Sequence, residues 1–232
     1  LITVLADDVI ISGLTIMNKV AANKAVEVMG TASDFTIQNC TFAPISEELL
    51  EGLNGEELDG YVYEEYKEYG ASLYFNGNVT GAKVESNYFD HSGISLDSTN
   101  EASISVTGNI FEGVKNWNNN ASYTYSAIGY TSWTTPEVTN ITDAKLTIKR
   151  NQFINAGKVN FTKVTEGSVN VSENYWEGMD LSSDVTGSAT VSTIYIDKEM
   201  TQLVTVSAEE QTLQEILNAA ESGSVIDLAG KY

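Results

Sequence analysis

Ala82-Lys83-Val84-Glu85-Ser86-Asn87-Tyr88-Phe89 and Ile104-Ser105-Val106-Thr107-Gly108-Asn109-Ile110-Phe111 share one register. An apolar residue, any residue, an apolar residue, two of any kind, a turn residue, one more of any kind and a large apolar residue follow in order. Four other segments keep it: Val9/Ile11/Leu14/Ile16, Phe35/Ile37/Cys40/Phe42, Leu146/Ile148/Asn151/Phe153 and Val169/Val171/Asn174/Trp176. The closing apolar positions (16, 42, 89, 111, 153, 176) fall 26, 47, 22, 42 and 23 residues apart. A period of 20 to 50 residues is the mark of a stacked-repeat fold. The three short spacings fit one coil of a β-solenoid, and the two long ones fit a coil carrying an insertion.

A second strand-like element lies between these segments, at residues 25–28, 73–75, 94–96, 127–130 and 159–161. Each coil thus holds two or three short strands. A lone coil cannot bury its apolar face, whereas stacking at about 4.8 Å buries it. Parallel crossover connections are almost always right-handed, so the expected fold is all-β: a right-handed parallel β-helix with two inserted loops and a short C-terminal amphipathic helix. The turn position holds Asn87, Asn109, Asn151 and Asn174. Amides stacked at strand spacing donate and accept along the axis, so these asparagines read as a buried ladder. Cys40 occupies the same slot and reads as a small buried filler. A β-sandwich would show hairpin signals every 8–12 residues, and leucine-rich repeats would need leucine at the fixed repeat positions with helical spacers between, a pattern this sequence does not follow.

Composition narrows the function classes. Thirty-two acidic residues against 12 basic give a net charge of −20, and Arg150 is the only arginine. Nucleic acid and anionic lipid require Lys and Arg to neutralise phosphate, so nucleic-acid binding is excluded. No apolar run approaches the ~18 residues of a membrane span, and no membrane insertion is expected. Cys40 stands alone, which removes a disulfide framework and a Cys-based zinc site. No cofactor and no metal are expected, because nothing follows the spaced acidic pattern of a calcium loop.

Both main insertions follow the large apolar residue, at one corner of the coil. The first, residues 43–70, is rich in Glu and Tyr; the second, 112–126, holds Trp117, Tyr123 and Tyr125 among asparagines; a further loop, 131–143, adds Trp133. Ser46 with Glu47 and Glu48 reads as a helix start. In the tail, Thr212 and Glu215 form a capping box, and Leu213, Ile216, Leu217 and Ala220 line one apolar helical face before a strand at 225–228.

Asn174-Tyr175-Trp176-Glu177-Gly178 followed by Ile194-Tyr195-Ile196-Asp197 is similar to the last coil of pectin-lyase-like β-helix domains in large bacterial surface proteins, which an Asn-Tyr-Trp-Gly signature closes. Here Glu177 interrupts the Trp-Gly step. Residues 212–232 resemble the opening of such a domain, with a capping helix, a strand and a Gly-x-Tyr turn at Gly230-Lys231-Tyr232. The expected division is therefore a β-helix over 1–200, an excerpt whose first coils precede Leu1, and an exit segment over 201–232 that begins a following domain. The resemblance implies an exported, adhesin-like protein, extracellular or at the cell surface, with further domains of the same polypeptide.

The same fold hosts enzymes and binding stalks. By resemblance, a lyase would use an arginine or lysine base beside Ca²⁺ held by aspartates, yet Arg150 has no aspartate cluster on neighbouring coils. A galacturonan hydrolase would need paired aspartates and a Gly-His-Gly turn. Asp7-Asp8 precedes a strand and reads as a turn, and His91 lies in Asp90-His91-Ser92-Gly93. Asp90-His91 with Asp97 is the best remaining acid–base group; a solvated turn is the simpler reading. No catalytic residue is assigned. The candidate binding residues are aromatic: Tyr61, Tyr63, Tyr66, Trp117, Tyr123, Tyr125 and Trp133. Their π-faces suit the C–H faces of sugar rings, and equally they can form the private cores of the insertions. The reading is a non-catalytic stalk or adhesin that recognises glycan or a host or matrix protein, the alternative being a polysaccharide-active lyase or glycoside hydrolase.

Overall fold

The computed structural model describes residues 2–18, 24–44, 72–97, 101–113, 126–130, 137–139 and 141–206. These residues are almost entirely β, and their strands fall into stacked sheets of seven, five and eight strands, paired in parallel except where Leu203–Thr205 closes the third sheet antiparallel to Thr193–Tyr195. The chain visits the three sheets in rotation. Ser72–Asn76, Ala82–Glu85 and Tyr88–Asp90 enter the first, second and third sheets, and Ile94–Asp97, Ile104–Thr107 and Ile110–Glu112 repeat the visit in parallel alongside them. The repeat register is the pairing register: Val84 lies opposite Val106, Val106 opposite Ile148, and Phe89 opposite Phe111.

Period-2 alternation sends one residue in two to the interior. Ala82, Val84, Ile104, Val106, Leu146 and Ile148 are buried, while Lys83, Ser105 and Thr147 between them point outward. Five successive layers then place a large ring in the third sheet, after Ile16 in the layer before them. Phe42, Phe89, Phe111 and Phe153 stack at centroid spacings of 4.7, 4.8 and 5.1 Å, and Trp176 ends the row at 4.5 Å from Phe153. The spacing is that of the strands, so sheet pairing and ring contact reinforce each other.

The asparagine ladder runs beside this row. Asn87, Asn109, Asn151 and Asn174 are at most 2% exposed. Asn109 Oδ1 accepts from the Asn87 backbone N–H at 2.9 Å and from Asn87 Nδ2 at 3.0 Å. Asn151 serves Asn109 in the same way, and Asn174 serves Asn151. Cys40 fills the slot before them, and its backbone N–H donates to Asn87 Oδ1.

The residue before each ladder position is left-handed: Gly13, Asn39, Ser86, Gly108, Arg150 and Glu173 have φ between 52° and 70°. That conformation costs a side-chain-bearing residue about 1–2 kcal/mol, and it turns the corner that aims the next side chain inward. Pairing with the adjacent layer offsets it, as when Ser86 N–H donates to Thr107 O and Glu173 N–H to Thr193 O.

Several expected boundaries move. Ala43 belongs to the strand Thr41–Pro44, Glu112 to Ile110–Glu112 and Ser126 to Ser126–Gly129, so each insertion is shorter than its sequence suggests. Val138 and Ile141, assigned to a loop, bridge Val164 and Gly167 in parallel fashion. The second sheet ends at Leu146–Lys149, and Val169–Asn170 pairs instead with Ala189–Thr190. Glu177 extends the strand Asn174–Glu177 and Gly178 follows at φ 66°, so the strand absorbs the residue that interrupts Trp-Gly. A four-residue helix, Leu181–Asp184, capped by the Asp180 carboxylate, was not anticipated. Leu14, at the turn position of its segment, is 47% exposed on the outermost layer, with Leu5 and Ile10 also exposed. The Ser46 helix start and the 212–220 amphipathic helix lie outside the described residues.

Candidate functional site

Tyr61, Tyr63, Tyr66, Trp117, Tyr123, Tyr125 and Trp133 all lie outside the described residues. The site is therefore built from the polar groups that the sheets position.

Asp90 ends the strand Tyr88–Asp90, and His91 follows in a left-handed conformation, φ 49°. The turn swings the imidazole back, so that Nδ1 lies 2.5 Å from Asp90 Oδ1. With the proton on Nδ1, the ring donates to the carboxylate and Nε2 is left as an acceptor. The ring lies over Gly113 of the next layer, where a Cβ would come within 2.8 Å of Nε2. Only glycine leaves that space. Asp97, expected as the third member, is elsewhere: it accepts from Tyr74 Oη at 2.7 Å. The neighbours of the pair are instead Glu112, opposite Asp90 in the pairing, and Tyr88, whose hydroxyl donates to Glu112 Oε2 at 2.9 Å. Burial, then the Glu112 hydrogen bond and the nearby carboxylates, push the Tyr88 phenol up to about 12. Its proton stays on through the neutral range, and the Glu112 carboxylate is held as an acceptor.

A second network covers the outer face of the first sheet. Lys24 Nζ pairs with Glu27 at 2.9 Å and sits 3.7 Å from the centroid of the Tyr74 ring. Glu27 also accepts from Asn76 Nδ2 at 3.0 Å. The Lys24 hydrogen bond is the largest cause holding the Glu27 carboxyl below its usual range; burial opposes it and Asn76 assists. Every partner here is engaged by another side chain, which describes a solvated structural lattice.

The third group forms at the turn between the second and third sheets. Arg150 is exposed, and Nη1 donates to Tyr195 Oη at 3.0 Å with the guanidinium 5.4 Å from the ring centroid. A hairpin, Ile196 to Gln202, folds back beside it. Asp197 staples this hairpin, accepting from the backbone N–H groups of Thr201 at 2.8 Å and Gln202 at 2.6 Å. These bonds, the one from Thr201 first, hold the Asp197 carboxyl below its usual range. Between the hairpin and the column of left-handed turns runs an open groove of about 420 Å³, lined by Ser86, Thr107, Gly108, Arg150, Gln152 and Lys198 among others. Gln152 Nε2 donates to Lys198 O at 3.2 Å, which fixes the amide, while Gln152 Oε1 is buried and without a hydrogen-bond partner. Sequence reading did not single out this groove. Its only signal was positional: Ser86, Gly108 and Arg150 each precede a ladder asparagine.

Asp7 and Asp8 form a turn, as expected. Asp7 Oδ1 accepts from Ser33 N–H at 2.7 Å and Asp8 has φ 59°. Among the described residues no group of three His, Cys, Asp or Glu is arranged to hold a metal ion, and no helix is long and apolar enough to cross a membrane. Compared with known proteins, the chain matches no family model, no curated protein and no solved structure.

Proposed function

We propose that the three sheets are the flanks of a right-handed parallel β-helix of the pectin-lyase-like kind, and that the domain is a non-catalytic stalk or adhesin at a bacterial cell surface. In this reading the chain is part of a longer exported polypeptide, and its inserted segments recognise glycan or a host or matrix protein. The observation that carries the reading is the pair of interior rows, Asn87 to Asn174 and Phe42 to Trp176, held in register from layer to layer. A scaffold that repeats one layer resists bending and leaves its outer residues free to vary. Support from the polar groups is of the same kind: Glu112, Glu27 and Asp97 each have a structural partner.

The test is an incubation of the purified chain with polygalacturonate and neutral glycans, with and without Ca²⁺. The expected result is no release of unsaturated or reducing ends, together with retention on immobilised glycan or matrix protein. The Asp90–His91 pair favours the second reading, a polysaccharide-active enzyme. Cleavage that disappears in His91→Ala, with the fold intact, would establish it and overturn the stalk.

A further inference from the structure

We propose that the outermost layer of the stack, formed by Ile2–Val4, Ile10–Ser12 and Thr15–Asn18, is the docking face for residues 207–232 of a second copy of this chain, so that copies join head to tail. The contact holds whether the domain is a stalk or an enzyme.

The face is open in two respects. Each of the three large sheets ends on a strand of this layer, so among the described residues no strand pairs with its outer side. An edge of that kind is a template for another chain unless something covers it. Its side chains are also apolar. Among the described residues eight large hydrophobics are exposed, and five of them, Ile2, Leu5, Ile10, Leu14 and Met17, belong to this layer. Ile2, Val4, Leu5, Val9, Ile11 and Leu14 line an open cavity of about 460 Å³.

The opposite end is finished differently. There Leu203–Thr205 runs antiparallel and breaks the parallel pairing, and the helix Leu181–Asp184 packs beside Val185–Gly187. Trp176, Met179, Val185 and Val191 are partly buried against the core. The open face therefore lacks a cover that the far end has, and the sequence beyond residue 206 supplies one. Leu213, Ile216, Leu217 and Ala220 recur at helical spacing behind the Thr212–Glu215 capping box, and 225–228 reads as a strand. An apolar helical face fills the cavity and a strand pairs the edge.

Reach makes the occupant a second copy. Thr15–Asn18 and Leu203–Thr205 are the two ends of the eight-stranded sheet, which at about 4.8 Å per strand lie roughly 34 Å apart. From Val206 to Leu213 the chain spans at most about 25 Å when fully extended. The 213–220 face thus stops short of its own open layer, whereas the open layer of a copy placed end-on beyond Val206 is within reach. Asp7 and Asp8 flank the face, and 207–232 carries five acidic residues against Lys231. Apolar burial must drive the contact against like charges, so salt should strengthen it. The contact is heterologous, and a straight stack does not close, so the product is an open series.

The experiment is sedimentation velocity of the 232-residue chain. The mean mass should climb through multiples of 25.1 kDa as concentration and salt are raised. The double variants Leu5→Glu with Ile10→Glu, and Leu213→Glu with Leu217→Glu, should each remain monomeric. Mixed together they should form a dimer and nothing larger, because one intact face meets one intact tail. Hydrogen exchange on the unsubstituted chain is the second measurement: the amides of 10–12 and 213–228 should gain protection together as concentration rises. Four results would overturn the proposal: a constant monomer mass up to about 1 mM, assembly of either variant alone, no dimer from two variants that each melt like the native chain, or full protection of 213–228 in the monomer, which would place that segment on its own copy.

Discussion

Replacing Asn109 by leucine tests the interior on which every outer feature depends. The native side chain accepts from Asn87 N–H and Asn87 Nδ2, and donates to Val84 O at 2.8 Å, Thr107 O at 3.1 Å and Asn151 Oδ1 at 3.0 Å. Leucine makes none of these bonds. The Asn87 amide keeps Ile37 O, and Asn151 Oδ1 keeps the Asn109 backbone N–H. The Asn87 N–H and the Val84 carbonyl lose their ladder partner, at about 1–3 kcal/mol each. Burying leucine gains about 1.5–3 kcal/mol. That gain is cancelled because carbon contacts need about 3.5–4.0 Å where the amides meet at 3.0 Å, and overpacking costs about 1–3 kcal/mol. The net loss is therefore about 2–6 kcal/mol. At about 2–4 °C per kcal/mol for a chain of this size, Tm should fall on the order of 10 °C. Differential scanning calorimetry measures it, with Ser105→Ala, an outward position on the preceding strand, as the control. A fall of less than about 2 °C in Asn109→Leu would refute the ladder as a source of stability.

Three other outcomes are expected. Cys40→Asn places an amide in the ladder slot next to Asn87 and should leave Tm within a few degrees of native; a collapse like that of Asn109→Leu would show that the slot is shaped for sulfur. Gly113→Ala sets a Cβ against the His91 ring at a position with φ 69°, so it should cost about 1–3 kcal/mol and separate His91 from Asp90, read from the imidazole chemical shifts. Unchanged shifts would refute the close packing of ring on backbone. The Asp197 carboxyl is held below its usual range in the folded chain, so its contribution is present above the ordinary carboxylate value of about 3.9 and is lost as pH falls through the lower folded value. The Thr201 and Gln202 amide shifts should move together in that acid window; movement at or above pH ~4 would contradict the staple.

The layered arrangement was legible in the sequence because it is a local pattern repeated. Val84, Asn87 and Phe89 recur as Val106, Asn109 and Phe111, and each must meet its own kind at strand spacing, so one-dimensional periodicity specifies pairing register and interior rows together. The Asn ladder and the Phe row were readable for that reason. Ladder slots that hold other residues were less so: Cys40 was placed correctly, whereas Leu14 is exposed because burial depends on a neighbouring layer that local sequence does not encode. Only the tertiary structure decided the outer chemistry. Asp90 and His91 are sequence neighbours, but their companion is Glu112, one layer on, and not Asp97, whose strand belongs to another sheet. The groove joins Ser86, Gly108, Gln152 and Lys198 across more than a hundred residues. Outward positions carry no periodic constraint, since solvent accepts any side chain there, and their company is set by the stacking of layers and by a hairpin folding back at the end.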